Sequence, residues 1–275
     1  MRKTWQCRYS PTLGALESTH QEVWGTDDYI DDYRPTVFFG LYGLPDFYAV
    51  WRHKGIKEIL WAGTDIIHFL NGYWLEDGGV IKVDRKAFGI WLSRNCGHWV
   101  ENETERRALL EAGIFSRIVP SFLGDVRNFK VSFKPSKKIK LYASVSGDNF
   151  LQYGWDKVEE LASNHQDIEF HLYGSSNWKS NYQNVIVHGR LPKDQMNKEI
   201  KKMTGGLRLT EFDGFSEILA KSVLWGQWPV SLIEYPYILR PSQIDQLKGK
   251  HTSNIEGRNY YLKTLNQYPW VKNSS

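Results

Sequence analysis

The chain has 275 residues, enough for one large domain or two small ones, and no apolar run approaches the ~20 residues that a membrane-spanning helix requires. Its 35 basic residues nearly cancel its 31 acidic ones, and a formal charge of +4 does not call for a nucleic-acid partner. Two cysteines, Cys7 and Cys96, lack the spacing of a disulfide framework or a zinc site, and the basic start carries no apolar leader, so a cytoplasmic location is expected.

The first 34 residues show no clear period and read as an irregular or short-stranded lead-in. Thr36 to Phe39 is the first convincing strand, followed by Gly40-Leu41-Tyr42-Gly43 and a helical stretch from Pro45 to Lys54. Ile59 to Trp61 forms a second strand that breaks at Ala62-Gly63-Thr64-Asp65. Gly97 to Val100 is a third, and Asn102 to Glu105 opens a helix that Gly113 stops. Ile114 to Pro120 reads as a strand. From Ser121 to Lys138 the alternation lapses into a polar, basic stretch, where the domain junction is placed, giving domains 1–130 and 131–275.

Alternation then resumes. Strands are predicted at Ile139 to Val145, Ile168 to Tyr173, Val185 to Val187, Gly206 to Leu209 and Pro229 to Ile233. Helices are predicted at Gly154 to Asn164, Lys193 to Met203 and Phe215 to Trp225, with two more in the tail, at Ser242 to Leu247 and Arg258 to Leu265. Strands alternating with helices imply α/β units built on parallel sheets. The lysine runs at 134–140 and 198–202 read as a linker and as the solvated face of a helix. Most of the aromatic residues are assigned to the core.

In open α/β sheets ligands bind at the carboxyl ends of strands, where a helix N-terminus offers unpaired amides. The best such turn is Leu209-Thr210-Glu211-Phe212-Asp213-Gly214-Phe215-Ser216. On the residues alone, Asp213 or Ser216 as a plain N-cap with Gly214 as a turn glycine is the preferred account.

That turn, with Arg208 before it, Leu219 after it and Gly226-Gln227-Trp228-Pro229-Val230 beyond, resembles the donor-binding segment of retaining GT-B glycosyltransferases of the group 1, or family 4, type. The likeness reaches back through His171 to Gly174, Val187 to Pro192 and the helix ending at Met203, covering most of residues 139–235. More weakly, Trp61 to Asp65 and Val100 to Pro120 resemble the second half of that superfamily's N-terminal domain. The resemblance implies two Rossmann-like domains facing a cleft. A reduced acceptor-side domain would occupy 1–130 and a nucleotide-sugar-binding domain 131–275. It further implies sugar transfer from a nucleoside diphosphate sugar to an acceptor hydroxyl with retention. The acceptor, whether glycan, lipid-linked sugar or protein, stays open.

Under this resemblance Asp213 contacts sugar hydroxyls, while Gly214, Phe215 and Ser216 supply backbone donors and Glu211 lines the donor site. The pattern is broken at Lys221, where the family carries a ribose-binding Glu eight positions after the first carboxylate; Glu217 lies one turn before it. The family's basic phosphate-binding pair is not evident after Val145. Arg190, Arg208, Lys157 and Lys221 are the substitutes, with Arg208 preferred and an outward-facing Arg the alternative. Gly43 closes a loop able to approach donor phosphates, or a plain strand–helix turn. Asp65 would orient an acceptor hydroxyl or take its proton, or cap the following turn. His98 could serve the same purpose as Asp65, but a lone strand histidine is more often structural, and His68 and His188 are also assigned structural roles. Donor binding is expected without a metal or other cofactor, since no Asp-x-Asp pair sits at a strand end and Asp27-Asp28 and Asp31-Asp32 fall in the lead-in. The rival reading is a non-catalytic sugar- or nucleotide-binding protein that kept the scaffold. A transferase acting on modified DNA is disfavoured by the weak net charge.

Overall fold

The computed structural model describes residues 4–16, 22–76, 79–82 and 84–272; the basic start at Met1 to Lys3 lies outside them. Two compact units emerge. The first comprises the chain up to Gly124 together with Phe212–Phe215 and the residues from Thr264 on; the second comprises Asp125–Glu211 and Ser216–Lys263.

In the first unit, six parallel strands are arranged in the order β2 (Asp27–Asp28), β1 (Gln6–Tyr9), β3 (Thr36–Phe39), β4 (Lys57–Leu60), β7 (Gly97–Val100), β8 (Arg117–Ile118). The period of two along each strand sorts the core onto both faces of this sheet. Phe38, Ile59 and Val100 pack on one side with α1 (Leu44–Arg52), α2 (Thr64–Leu70) and α4 (Glu103–Glu111), through Phe47, Val50, Ile66, Phe69 and Leu109. Val37, Phe39, Leu60 and Trp99 pack on the other, against Trp24, Tyr268 and Trp270. A two-stranded antiparallel hairpin, β5 (Tyr73–Glu76) and β6 (Gly79–Lys82), and helix α3 (Arg85–Asn95) complete the unit.

The second unit holds five parallel strands in the order β11 (Val185–Gly189), β10 (Ile168–Tyr173), β9 (Ile139–Ser144), β12 (Gly205–Arg208), β13 (Val230–Ser231). Leu141, Phe170, Leu172 and Leu207 meet α5 (Trp155–Asn164) through Trp155, Val158 and Ala162. Tyr142, Tyr173, Ile200 and Met203 form the opposite layer with Ile218 and Trp225, in which α6 (Lys193–Ile200) and α7 (Glu217–Leu224) take part. Helix α8 (Ile255–Thr264) follows a 3-10 stretch at Pro241–Gly249.

One feature settles an open alternative and another departs from the sequence reading. The lead-in is short-stranded, contributing β2 and β1, the latter an inner strand of its sheet. Its Gln6 is fully buried, donating to Thr36 Oγ1 at 2.9 Å and accepting from Ile30 N at 3.1 Å, so hydrogen bonding rather than apolar alternation holds this strand. The tail from Thr264 leaves the second unit for the first. There Tyr268 stacks on Trp270 at 4.6 Å and 10°, its hydroxyl donating to Val119 O at 2.7 Å, while Asn266 bridges both main-chain groups of Phe122. Burying that aromatic pair draws the tail across.

Candidate functional site

The strand order of the second unit reverses between β9 and β12, and such a reversal opens a crevice at the carboxyl ends of the strands. Arg208 is the last residue of β12, beside that reversal. Its guanidinium lies over the Tyr153 ring at 4.2 Å, a cation–π contact that fixes the fork's plane. Gly154, which caps α5 with φ +73, is irreplaceable here: a Cβ would meet Leu209 O at 2.3 Å. The loop after β9 is anchored by Asp148, which accepts from Ser175 Oγ at 2.5 Å and Asn177 Nδ2 at 2.8 Å; these bonds hold its carboxyl below the usual range.

The remaining candidates of the second unit have these surroundings. Glu211 is exposed and paired with Lys157 at 2.7 Å, so two candidate residues answer each other. Ser216 is the N-cap of α7, its hydroxyl accepting from Leu219 N at 3.4 Å. Lys221 pairs with Glu217 across one helical turn at 3.7 Å; burial lowers its pKa, and Glu217 opposes the shift. Arg190 is exposed just beyond β11.

The turn Phe212–Phe215 packs within the first unit, and its polar groups are met there by side chains that the sequence reading did not single out. Glu101 Oε2 accepts from Phe215 N at 2.7 Å, while its Oε1 accepts from Ser121 N at 2.9 Å. Asn102 Nδ2 donates to Asp213 O at 2.7 Å, and Asp213 Oδ1 accepts from Gly214 N at 3.0 Å. Of the three amides expected to serve as donors, those of Gly214 and Phe215 thus already face carboxylates. Gly214 is required by closeness: a Cβ would stand 1.9 Å from Glu101 Oε2.

Asp65 and Glu105 lie in the same region. Asp65 is fully buried and accepts from Leu41 N at 2.8 Å, Ala62 N at 3.0 Å and Ile66 N at 2.8 Å. Both its oxygens are occupied in shaping the loops that follow β3 and β4, and it lies inside α2, whose N-cap is Gly63. Gly43 caps α1 in an extended conformation, and the neighbouring Tyr42 N is held by Asp46 Oδ2 at 3.0 Å. Burial pushes Asp65 and Glu101 up to about 7, with Asp46 adding to the rise of Asp65 and Asp213 to that of Glu101; burial also lifts Glu105 well above the carboxylate range, and there the charges of Glu101, Asp65 and Asp213 add to it. Glu105 Oε2 accepts from Glu101 N at 2.7 Å, whereas its Oε1 is buried without a hydrogen-bond partner. Of these acids Asp65 was a candidate, whereas Glu101 and Glu105 were missed because they precede or open an ordinary-looking helix, and only the cap signature Asn102…Glu105 is legible in sequence.

The histidines take structural places. His98 is buried, accepting from Trp61 Nε1 at 3.2 Å, with its other nitrogen 3.2 Å from Leu92 O. His68 meets Tyr42 edge-on, and His188 stacks on Tyr173 at 4.3 Å. Among the described residues no group of three His, Cys, Asp or Glu side chains could hold a metal ion, and no helix is long and apolar enough to cross a membrane.

No family model and no curated protein matches the chain. Solved structures do. The chain is similar to sucrose-phosphate synthase from Thermosynechococcus elongatus, with a TM-score of 0.55 at 10% identity over 92% of this chain and 73% of that one. It is similar to the GtfA/B complex, with a TM-score of 0.54 at 11% identity over 84% and 54%, and to TarM, with a TM-score of 0.52 at 14% identity over 90% and 54%. A variant of TarM from S. aureus, at a TM-score of 0.51, was solved with Fondaparinux, alpha-GlcNAc-glycerol and UDP. The chain thus spans about half the length of the TarM and GtfA/B chains it matches. Identities this low are a likeness of fold. The chain has the α/β, GT-B-like architecture of glycosyltransferase structures, with two Rossmann-like units.

Proposed function

We propose that the protein is a glycosyltransferase that moves a sugar from a nucleoside diphosphate sugar to an acceptor hydroxyl, with retention and without a metal. The observation that carries this reading is Arg208, the last residue of β12 at the strand-order reversal of the second unit, its fork set by Tyr153 and followed by the acidic turn through Asp213. The glycosyltransferase fold supports it, as does the UDP held by the TarM variant.

In the proposed reaction the bond from the anomeric carbon to the diphosphate oxygen breaks, and its electron pair leaves with the nucleoside diphosphate. A bond to the acceptor oxygen forms on the same face, and the acceptor's proton passes to the departing phosphate. Arg208 and Arg190 offset the charge developing on that phosphate. With the Gly214 and Phe215 amides already bonded, side-chain cations carry more of this task than the family pattern implies. Asp213 contacts sugar hydroxyls, and the first unit receives the acceptor.

Calorimetric titration against a panel of nucleoside diphosphate sugars, with and without a chelator, tests the reading. One member of the panel should bind, equally well in both conditions, and be hydrolysed slowly. Binding without hydrolysis or transfer would favour the non-catalytic alternative, for which Lys221 in place of the expected carboxylate is the specific support. Absence of binding by every member would overturn the proposal.

A further inference from the structure

The two lysine runs, read in sequence as a linker and a solvated helix face, come together in the second unit. Ser132 and Lys134, from the segment before β9, and Lys198, Lys201 and Lys202, from the last turn of α6 and the turn that follows it, line one groove of about 690 Å³. Ser132 Oγ donates to Lys201 O at 3.3 Å and ties the two walls together. At Lys202 the groove adjoins a cavity of about 290 Å³ whose lining includes Lys138, Lys140, His171 and His188. Both lie toward the amino ends of the strands: Lys140 is the second residue of β9 and Thr204 precedes β12, whereas Arg208 ends β12. This is not the candidate donor site.

Neutralisation differs sharply between the two hollows. Glu169 pairs with Lys138 and with Lys140, and Glu199 turns inward to accept the Tyr173 hydroxyl at 2.9 Å. Among the described residues, Lys134, Lys198, Lys201 and Lys202 have no ion-pair partner, and the groove they line contains no carboxylate. Four ammonium groups lining one concave surface give it a positive potential that attracts an anion.

We infer that this groove binds a linear chain of phosphate groups that carries no bases. Concavity between two walls suits a strand rather than a flat bilayer. Lysines bind phosphate as point charges, whereas the planar fork of arginine, absent from this lining, suits bidentate recognition. No aromatic side chain lines the groove, and single-stranded nucleic acids are held largely by stacking on such side chains. The inference stands apart from the proposed transfer activity.

Labelled inorganic polyphosphate, followed by fluorescence anisotropy at rising potassium chloride, is the test. Affinity should rise with chain length from pyrophosphate upward. The logarithm of the binding constant should fall against that of salt with a slope of about −3, as four neutralised phosphates require. The variant Lys198→Gln/Lys201→Gln/Lys202→Gln, all at exposed positions, should keep the wild-type melting temperature, bind at least about tenfold more weakly at low salt, and show a slope near −1. Unchanged binding by this variant would overturn the inference. So would pyrophosphate binding as tightly as the polymer, which would mark a free-phosphate site, or tighter binding of an oligothymidylate or of phosphatidylserine vesicles. Absence of polyphosphate binding by the wild-type chain would do the same.

Discussion

Glu101 Oε2 accepts the main-chain N–H of Phe215 at 2.7 Å, across 114 positions of sequence. A carboxylate is thereby seated on the turn where an external anion was expected. The contact depends on a bare Cα at Gly214, since a Cβ would stand 1.9 Å from the same oxygen.

Gly214→Ala should therefore destabilise the chain by about 1–3 kcal/mol through overpacking. In a Glu101→Ala background the same change should cost well under ~1 kcal/mol, because the obstructing oxygen is gone. Urea unfolding of the four members of this cycle measures the coupling. Additive costs would mean that the turn yields without engaging Glu101.

Asp213→Ala should abolish sugar transfer while leaving the fold intact. A carboxylate acting only as a cap would instead cost ~0.5–2 kcal/mol of stability and leave activity unchanged. Lys221→Glu is the companion variant. Tighter nucleotide-sugar binding by it would identify the lysine as a degenerated position, and weaker binding would make the lysine a ligand contact. Transfer rates and titration calorimetry separate these outcomes.

Stability should fall as pH rises from about 5 to about 7. Asp65 and Glu101 have folded pKa values of about 7, above their unfolded values near 4, so the native state holds more protons in that window. Each can contribute a decline of at most about 1.4 kcal/mol per pH unit. Glu103 and Glu169 are held near 2 by their Arg and Lys partners and act in the opposite sense only below about pH 4.5. Asp65→Asn should flatten the decline, as followed by urea midpoints across pH. A slope equal to the wild type's would show that Asp65 is ionised throughout.

Trp270→Ala should cost about 3–5 kcal/mol, since the ring is buried against Trp24, Trp99 and Tyr268. Hydrogen exchange should quicken in β1 and β7 while β9 and β10 keep their protection. Loss of protection in β9 and β10 instead would show that the tail stabilises the second unit.

Local periodicity and turn chemistry were enough to place β3, β7 and β10 at the residues predicted, and Asn102 and Ser216 as helix caps, because these features depend on neighbours within a few positions. The α/β class and the run of units from Ile139 to Ser231 follow from the same signals. Beyond the reach of sequence were the inner position of β1, whose buried Gln6 finds its partners in the segment at 30–36, and the tail, whose Tyr268 and Trp270 settle against Trp24 and Trp99. Glu101 and the groove of Lys134 and Lys202 belong with them. Each joins residues separated by dozens of positions, and a hydrogen bond or a shared field between such residues exists only once the sheets have brought them together.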